Sequence, residues 1–364
     1  MQSKVGYSSS IDVKAAVEEA TRGISDPIGL IIMTDHARLA DISTLLKRKY
    51  PKAQSIGVSG INYYGTQSSD RNLIIAAITG EAVLHAGVIR NLSTCPAADL
   101  INLKESMRIV NGSSENTVLI EYCTNDEERL TTTLQMAVGE SGIHVVGGTE
   151  FGYPADATPA VTVNGILYPD ACAYMLIKNT NGGVHVYSEV IYGPMEGHAA
   201  HNVTRANLKD KEVMELDHQP IANVYSREMN IPVEKVIDST LEHPFGRMVG
   251  DQVFIASQKE LKSGGSLTFF KRLNVNDAVR ILQLKDFASI NKETCAEILS
   301  ETSSPSLMIS VNCIYRYLLF TGNGYYPTLL QNMAAIGPHI GNIGGGEQVD
   351  NQHVNQTMVV AVFE

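Results

Sequence analysis

The chain has 364 residues, 44% of them apolar, with 39 acidic side chains against 28 basic ones and a formal net charge of −11. That length and apolar content fill sizeable cores in about two domains, which excludes a disordered or fibrous protein. The negative charge, with no basic cluster longer than Lys47-Arg48-Lys49, argues against nucleic acid or an anionic membrane as a partner.

The N-terminal Met-Gln-Ser-Lys-Val-Gly-Tyr has neither a basic leader nor an apolar run, and no stretch approaches the ~20 apolar residues a bilayer demands. Cys95, Cys123, Cys172, Cys295 and Cys313 are an odd set without C-x-x-C spacing, the pattern of reduced thiols. A cytoplasmic protein is expected, and a zinc knuckle cannot be assembled from these cysteines.

From Ile11 onward, Val13, Ala16, Val17 and Ala20 form a helical stripe behind serines able to cap it. Residues 28–33 read as a buried strand, and Leu39, Ile42 and Leu46 mark one face of a helix that Pro51 ends. A short strand then closes on Ile56-Gly57-Val58-Ser59-Gly60, and 73–78 is a further strand. The order recurs as a strand over 118–123, a helix around Leu130, Leu134 and Val138, and a strand closing on Gly147-Gly148-Thr149. A looser third copy has a strand over 307–311, a helix around Leu329, Leu330 and Met333, and a closing turn from Gly341. The spacing predicts a repeated strand-helix-strand unit, right-handed if its strands are parallel. Unrelated α/β segments also produce this periodicity.

Gly182-Gly183 turns into a strand over 184–191, and Gly193-Pro194 and Gly197 break the pattern. A domain boundary is expected near residue 205, giving domains over 1–205 and 206–364. Beyond it, Asp217 and Pro220 open a helix with Ile221, Val224 and Tyr225 on one face. Strands are expected over 252–256 and 267–270, and helices over 276–283 and 290–301. The fold class is α/β: two domains of mixed β-sheet covered by helices, a layered sandwich built from repeated strand-helix-strand units.

The last segment, 337–364, concentrates glycine, acid, histidine and amide side chains ahead of an apolar run. Gly341, Gly344, Gly345 and Gly346 are expected to supply positive φ and close backbone approach, aiming Glu347, His353, Asn355 and Gln356 into a shared space. The run from Met358 to Phe363 has the character of a strand covered on both faces.

Ligands of open α/β sheets settle beyond the carboxyl ends of the strands. The matching loops are Thr34-Asp35-His36, Thr124-Asn125-Asp126 and Asn312-Cys313-Ile314-Tyr315-Arg316, with the turns at Ser59, Thr149 and Gly344. The Asp, Asn and Thr of the first two loops read equally as helix N-caps. Arg316 can hold a ligand carboxylate in bidentate fashion or pair with Glu347. His198 and His201 share a side only if helical, and no carboxylate or cysteine stands at ligand spacing, so no metal is expected. Cys313, His353 and Asp350 or Asn355 are the residue types of a thiol acyl-transfer site, without a spacing signature. No Walker loop, G-x-S-x-G or dinucleotide fingerprint occurs, and no catalytic step is expected.

The Gly-Glu step at Gly346, the His353 to Asn355-Gln356-Thr357 segment and the closing apolar strand resemble the end of a FIST C domain. Pro27 with Gly29-Leu30-Ile31-Ile32, Val145-Val146-Gly147-Gly148-Thr149, Asn164-Gly165 ahead of 171–177, and Glu215-Leu216-Asp217 extend the resemblance over nearly the whole chain, to paired FIST N and FIST C domains. The resemblance implies a stand-alone sensor that encloses a small ligand, an amino acid or similar metabolite, between two FIST-like domains. It would signal through a partner such as a histidine kinase or a cyclase. Cys313-Ile314-Tyr315-Arg316 resembles the family's Cys-x-x-Arg feature, which favours a ligand role for Arg316. The candidate ligand residues are Arg316, Glu347, His353, Asn312, Thr149 and Ser59. Some stand-alone relatives are similar to nitric-oxide-sensing haem proteins that regulate histidine kinases, so haem is a second reading. With ten histidines and no C-x-x-C-H, any haem is non-covalent and its axial residue unassigned. An interaction scaffold without a ligand is the third.

Overall fold

In the computed structural model, which describes residues 1–250 and 252–364, the chain opens with strand β1 (Gln2–Ser8) and helix α1 (Val13–Ala20). Asp12, rather than the preceding serines, caps α1, its carboxylate accepting the Ala15 N–H at 2.8 Å. β2 (Gly29–Thr34), α2 (Leu39–Lys49) and β3 (Gln54–Ser59) form the first strand-helix-strand unit, its strands parallel up to the pair Thr34 and Ser59. The chain continues through β4 (Asn62–Tyr64), β5 (Gln67–Ser69), β6 (Leu73–Gly80), β7 (Ala82–Arg90) and α3 (Leu100–Val110). β8 (Thr117–Cys123), α4 (Glu127–Val138) and β9 (His144–Thr149) repeat the unit, again parallel and ending on the pair Cys123 and Thr149. β10 (Ala160–Val163), β11 (Ile166–Pro169), β12 (Ala171–Asn179) and β13 (Val184–Val190) follow.

Next come β14 (Tyr192–Pro194), β15 (His201–Asn207), β16 (Glu212–Leu216), β17 (Gln219–Pro220), α5 (Ile221–Met229), β18 (Phe245–Val249), β19 (Gln252–Ala256), β20 (Gln258–Leu261), β21 (Leu267–Phe269) and β22 (Ala278–Leu284). The helix expected over 276–283 is therefore the strand β22. Val279 and Ile281 alternate into the core, and pairing with β14, β15 and β18 outweighs the helix propensity of Ala, Arg, Gln and Leu. α6 (Phe287–Glu301) leads to the third unit: β23 (Leu307–Cys313), α7 (Ile314–Gly322), α8 (Tyr326–Ile336) and β24 (His339–Gly344), parallel and ending on Cys313 and Gly344. β25 (Glu347–Val349), β26 (Gln352–Val354) and β27 (Thr357–Phe363) close the chain.

By contact the chain forms two units, one of 1–189, 291–353 and 358–364, the other of 190–290 and 354–357. The smaller carries a sheet in the order β19-β18-β22-β15-β16-β21-β20, packed through Val213, Phe245, Phe269 and Ile281 on Tyr225 of α5. The larger carries three six-stranded sheets: β1-β6-β2-β3-β10-β11, β26-β25-β9-β8-β12-β7 and β13-β27-β23-β24-β4-β5. Each holds one parallel strand pair. One face of every sheet points into a common core, with Ile31 and Ile56 from the first, Val118, Ile120 and Val146 from the second, and Ile309, Val311 and Val359 from the third. The other face of the first sheet packs on α1 and α2, and that of the second on α3 and α4. Burial on both faces explains why these strands read as unbroken apolar runs.

β27 lies between β13 and β23, and all seven of its residues are buried. Deleting residues 357–364 is expected to abolish cooperative thermal unfolding, because an interior strand and its share of the common core vanish together. Circular dichroism melting checks this, and an unchanged midpoint would contradict the central placement of β27.

Candidate functional site

The carboxyl ends of the parallel pairs approach one another closely. The Thr149 N–H donates to the Gly346 carbonyl at 3.0 Å, and the Gly345 N–H returns a bond to the Thr149 carbonyl at 2.8 Å. The sequence predicts positive φ at Gly341, Gly344, Gly345 and Gly346, and none adopts it. Their use is space. A Cβ on Gly341 would stand 2.3 Å from the Ser310 carbonyl oxygen, and one on Gly148 only 2.4 Å from Cγ1 of Val311. Bare backbone at Gly148 thus lets β9 of the second sheet lie against β23 of the third.

The six candidate side chains fall into several groups. The Ser59 hydroxyl donates to Glu150, whose carboxylate also accepts the Ala160 N–H at 2.5 Å and lies 3.2 Å from Nδ1 of His36. Burial holds the Glu150 carboxyl above the ordinary glutamate range despite the donors from Ser59 and His36. Thr149 donates to Glu127 at 3.1 Å and accepts from the Gln348 amide at 3.3 Å, and Gln348 reaches Nδ1 of His353 at 3.1 Å. Thr149 and His353 are therefore joined through Gln348, whose place beside Glu347 gives it no signal of its own in the sequence.

Arg316 is fully buried. Its guanidinium donates to the carboxylate of Glu189 on β13, and to the Glu189 carbonyl at 3.4 Å, and it lies 4.6 Å from the Phe320 ring centre. Burial pulls the guanidinium down to about 9, while Glu347 draws it back up. The directly bonded acid is thus Glu189, and Glu347 acts on Arg316 through space. No sequence signal pairs Glu189 with Arg316, because the two meet only through the β13-β27-β23 strand order. Asn312 lies on the face of β23 turned away from the common core, alongside Ser310, and neither atom of its buried amide meets a protein partner.

The core-facing side holds a second arrangement. Strand registers align Tyr122, Gly148 and Glu347 in one row across β8, β9 and β25. They align Val311, Asn342 and Asn62 in another across β23, β24 and β4. The contact of Gly148 with Val311 sets the rows face to face. All the side chains in them are essentially inaccessible. Asn62 donates to the Thr34 and Gly60 carbonyls, at 3.1 and 2.9 Å. Its Oδ1, both amide atoms of Asn342 and the Tyr122 hydroxyl have no protein partner. Each buried polar group left without one costs ~1–3 kcal/mol, so a set of them needs a reason. Asn342 is legible as a polar residue inside an apolar strand; Tyr122 gives no signal.

Asp350 bonds His144 at 3.0 Å and His353 bonds Gln348, so the acid of a Cys313-His353-Asp350 set is engaged elsewhere. His198 bonds Glu228 at 2.9 Å and His201 bonds Asp217 at 2.7 Å. Among the described residues no group of three His, Cys, Asp or Glu is poised to hold a metal. A cleft of about 420 Å³ is lined by His144 and His185, but with Glu115, Glu297 and Glu301 in its wall and His185 bonded to Glu364 at 2.9 Å it does not fit a haem. No helix among the described residues is long and apolar enough to cross a membrane.

These burials set the effect of two substitutions. Arg316→Ala is expected to destabilise by ~3–5 kcal/mol by leaving Glu189 buried and uncompensated, and Arg316→Met with Glu189→Leu to recover much of the loss. Denaturant melts measure both, and a single variant as stable as the parent would contradict the pairing. Glu121, fully buried on β8, has its carboxyl raised by burial from an ordinary value near 4.5 to about 8. The folded chain thus holds a proton that the unfolded chain releases, so Glu121's stabilisation is complete below about pH 4.5 and is lost as pH rises through about 8. Glu121→Gln is expected to flatten the fall of stability across that window. Parallel pH profiles for parent and variant would count against it.

A family model of the FIST N domain matches residues 28–219, and one of the FIST C domain matches residues 222–350. A search of curated proteins returns no significant match. The two matches run in order along most of the chain and take in all three parallel strand pairs, and the chain belongs to the FIST family, with a FIST N domain followed by a FIST C domain.

Proposed function

We propose that this protein is a signal-transduction sensor that takes a small polar ligand, an amino acid or similar metabolite, into the interior of its larger unit and relays binding to a partner such as a histidine kinase or a cyclase. FIST domains are sensory domains associated with signal transduction and small-ligand sensing. The observation that carries the reading is Asn342, fully buried, core-facing and with neither amide atom bonded by protein. An amide offers one acceptor and a two-proton donor, and Asn62, the Tyr122 hydroxyl and the Glu347 carboxylate share the rows around it. A molecule with both donors and acceptors satisfies that set, and an apolar one does not.

Ser59 and Thr149, at the carboxyl ends of β3 and β9, and His353, joined to Thr149 through Gln348, are the further candidate contacts, while Asn312 faces away from the core rows and Arg316 is engaged by Glu189. Arg316 is held by the Glu189 carboxylate, so the groups offered to a ligand are the hydrogen-bonding ones of Asn342, Asn62 and Tyr122.

The test is a thermal-shift screen of the full chain against the amino acids, small dicarboxylates and small amines. At least one compound is expected to raise the melting temperature, since a ligand of the folded state stabilises it by mass action. Asn342→Leu is expected to lose that shift without lowering the ligand-free midpoint, because it removes an unbonded buried amide. A panel without any shift, together with a strongly destabilised Asn342→Leu, would mean that Asn342 serves the fold alone.

A further inference from the structure

Cys123 and Cys172 are direct partners across the antiparallel pair β8 and β12. The neighbouring pair, Thr124 and Ala171, carries the backbone bond from the Thr124 N–H to the Ala171 carbonyl at 3.1 Å. Alternation along an antiparallel ladder makes Cys123 and Cys172 a non-hydrogen-bonded pair, whose Cα atoms lie about 4.5 Å apart with side chains on one face. That separation falls within the range a disulfide spans. Both thiols are buried on the face that packs against α3 and α4.

A carboxyl group accompanies the pair. The Cys172 thiol donates to Oε2 of Glu121 at 3.3 Å, and Oε1 of Glu121 has no protein partner. Gly147 makes room for this carboxyl, since a Cβ there would stand 2.4 Å from Oε1. On the other side, the Cys123 sulfur lies 3.6 Å from the Thr149 hydroxyl. The dithiol is thus bracketed by a buried carboxyl group and by the Thr149-Gln348-His353 chain.

We propose that Cys123 and Cys172 form a redox-active dithiol that a peroxide converts to a cross-strand disulfide, with Glu121 as the proton acceptor. Once pH exceeds about 8 and Glu121 is ionised, its carboxylate takes the proton of Cys172, and the thiolate attacks a peroxide oxygen. The O–O bond breaks, a sulfenic acid forms on Cys172, and the departing alkoxide or hydroxide takes up a proton. The Cys123 sulfur then displaces water from the sulfenic acid, its own proton leaving with that water. Two thiols and one peroxide give one disulfide, one alcohol or water, and one further water, with two electrons passing to the peroxide. Burial pushes the Cys172 thiol well above its ordinary range, so the resting pair is guarded and reacts faster as pH rises. Oxidation takes from Glu121 its thiol donor and draws Cys123 away from Thr149.

The experiment treats the full chain, carrying Cys95→Ser to remove an exposed thiol, with hydrogen peroxide, alkylates the remaining thiols and maps the products by peptide mass spectrometry. A peptide pair joined through Cys123 and Cys172, reversed by a dithiol reductant and absent from Cys172→Ser, is the expected result. At a pH above that at which Glu121 ionises, Glu121→Gln should slow its formation about a hundredfold, the lower range of a lost general base, with unchanged circular dichroism. The proposal is overturned if both thiols are recovered alkylated after oxidation has consumed Cys295, if they end as separate sulfinic acids, or if Glu121→Gln reacts as fast as the parent.

Discussion

The structure of the larger unit depends on the contact of Gly148 with Val311. Any side chain at Gly148 would collide with Val311, so only bare backbone allows β9 and β23 to touch, and through them two sheets that belong to different repeats. Once they touch, register leaves little choice. Tyr122 and Glu347 flank Gly148 on one sheet, Asn342 and Asn62 follow Val311 on the other, and polar groups face one another where a common apolar core would otherwise close. The same economy of space recurs at Gly147, which makes room for the Glu121 carboxyl, and at Gly341, where Tyr63 and the Ser310 backbone come close.

Polarity buried this deeply works against stability. The Arg316 and Glu189 pair is inaccessible, and taking both ions out of water costs several kcal/mol each, so such a pair is weak evidence for stability and strong evidence for a fixed arrangement. Glu150 carries three donors and is still held above its ordinary range by burial. Stability must come instead from the apolar faces of three sheets and the helices packed on them, and the polar interior is what that stability supports.

Local pattern reveals the parts that depend on local pattern. The three strand-helix-strand units and the doubly buried last strand follow from unbroken apolar runs between polar turns, and the matched loops at Ser59, Thr149 and Asn312 follow from the repeat. What a sequence cannot show depends on strand order. Glu189 meets Arg316 only because β27 inserts between β13 and β23, and no spacing along the chain encodes that. The glycines of 341–346 are readable as special, but at Gly341 and Gly344 the role is close packing rather than positive φ, since a sequence does not say which sheet lies opposite. Residues 276–283 mix helix formers with alternating Val279 and Ile281, and the strand wins because neighbouring strands are waiting to pair with it.

The central claim is that the rows around Gly148 enclose a place for a small polar molecule. A high-resolution crystal structure of the full chain, grown with the compound giving the largest thermal shift, tests it most directly. The account predicts density for that compound within hydrogen-bonding distance of the Asn342 amide and the Tyr122 hydroxyl. An Asn342 amide bonded wholly to neighbouring side chains, with the compound elsewhere, would contradict it.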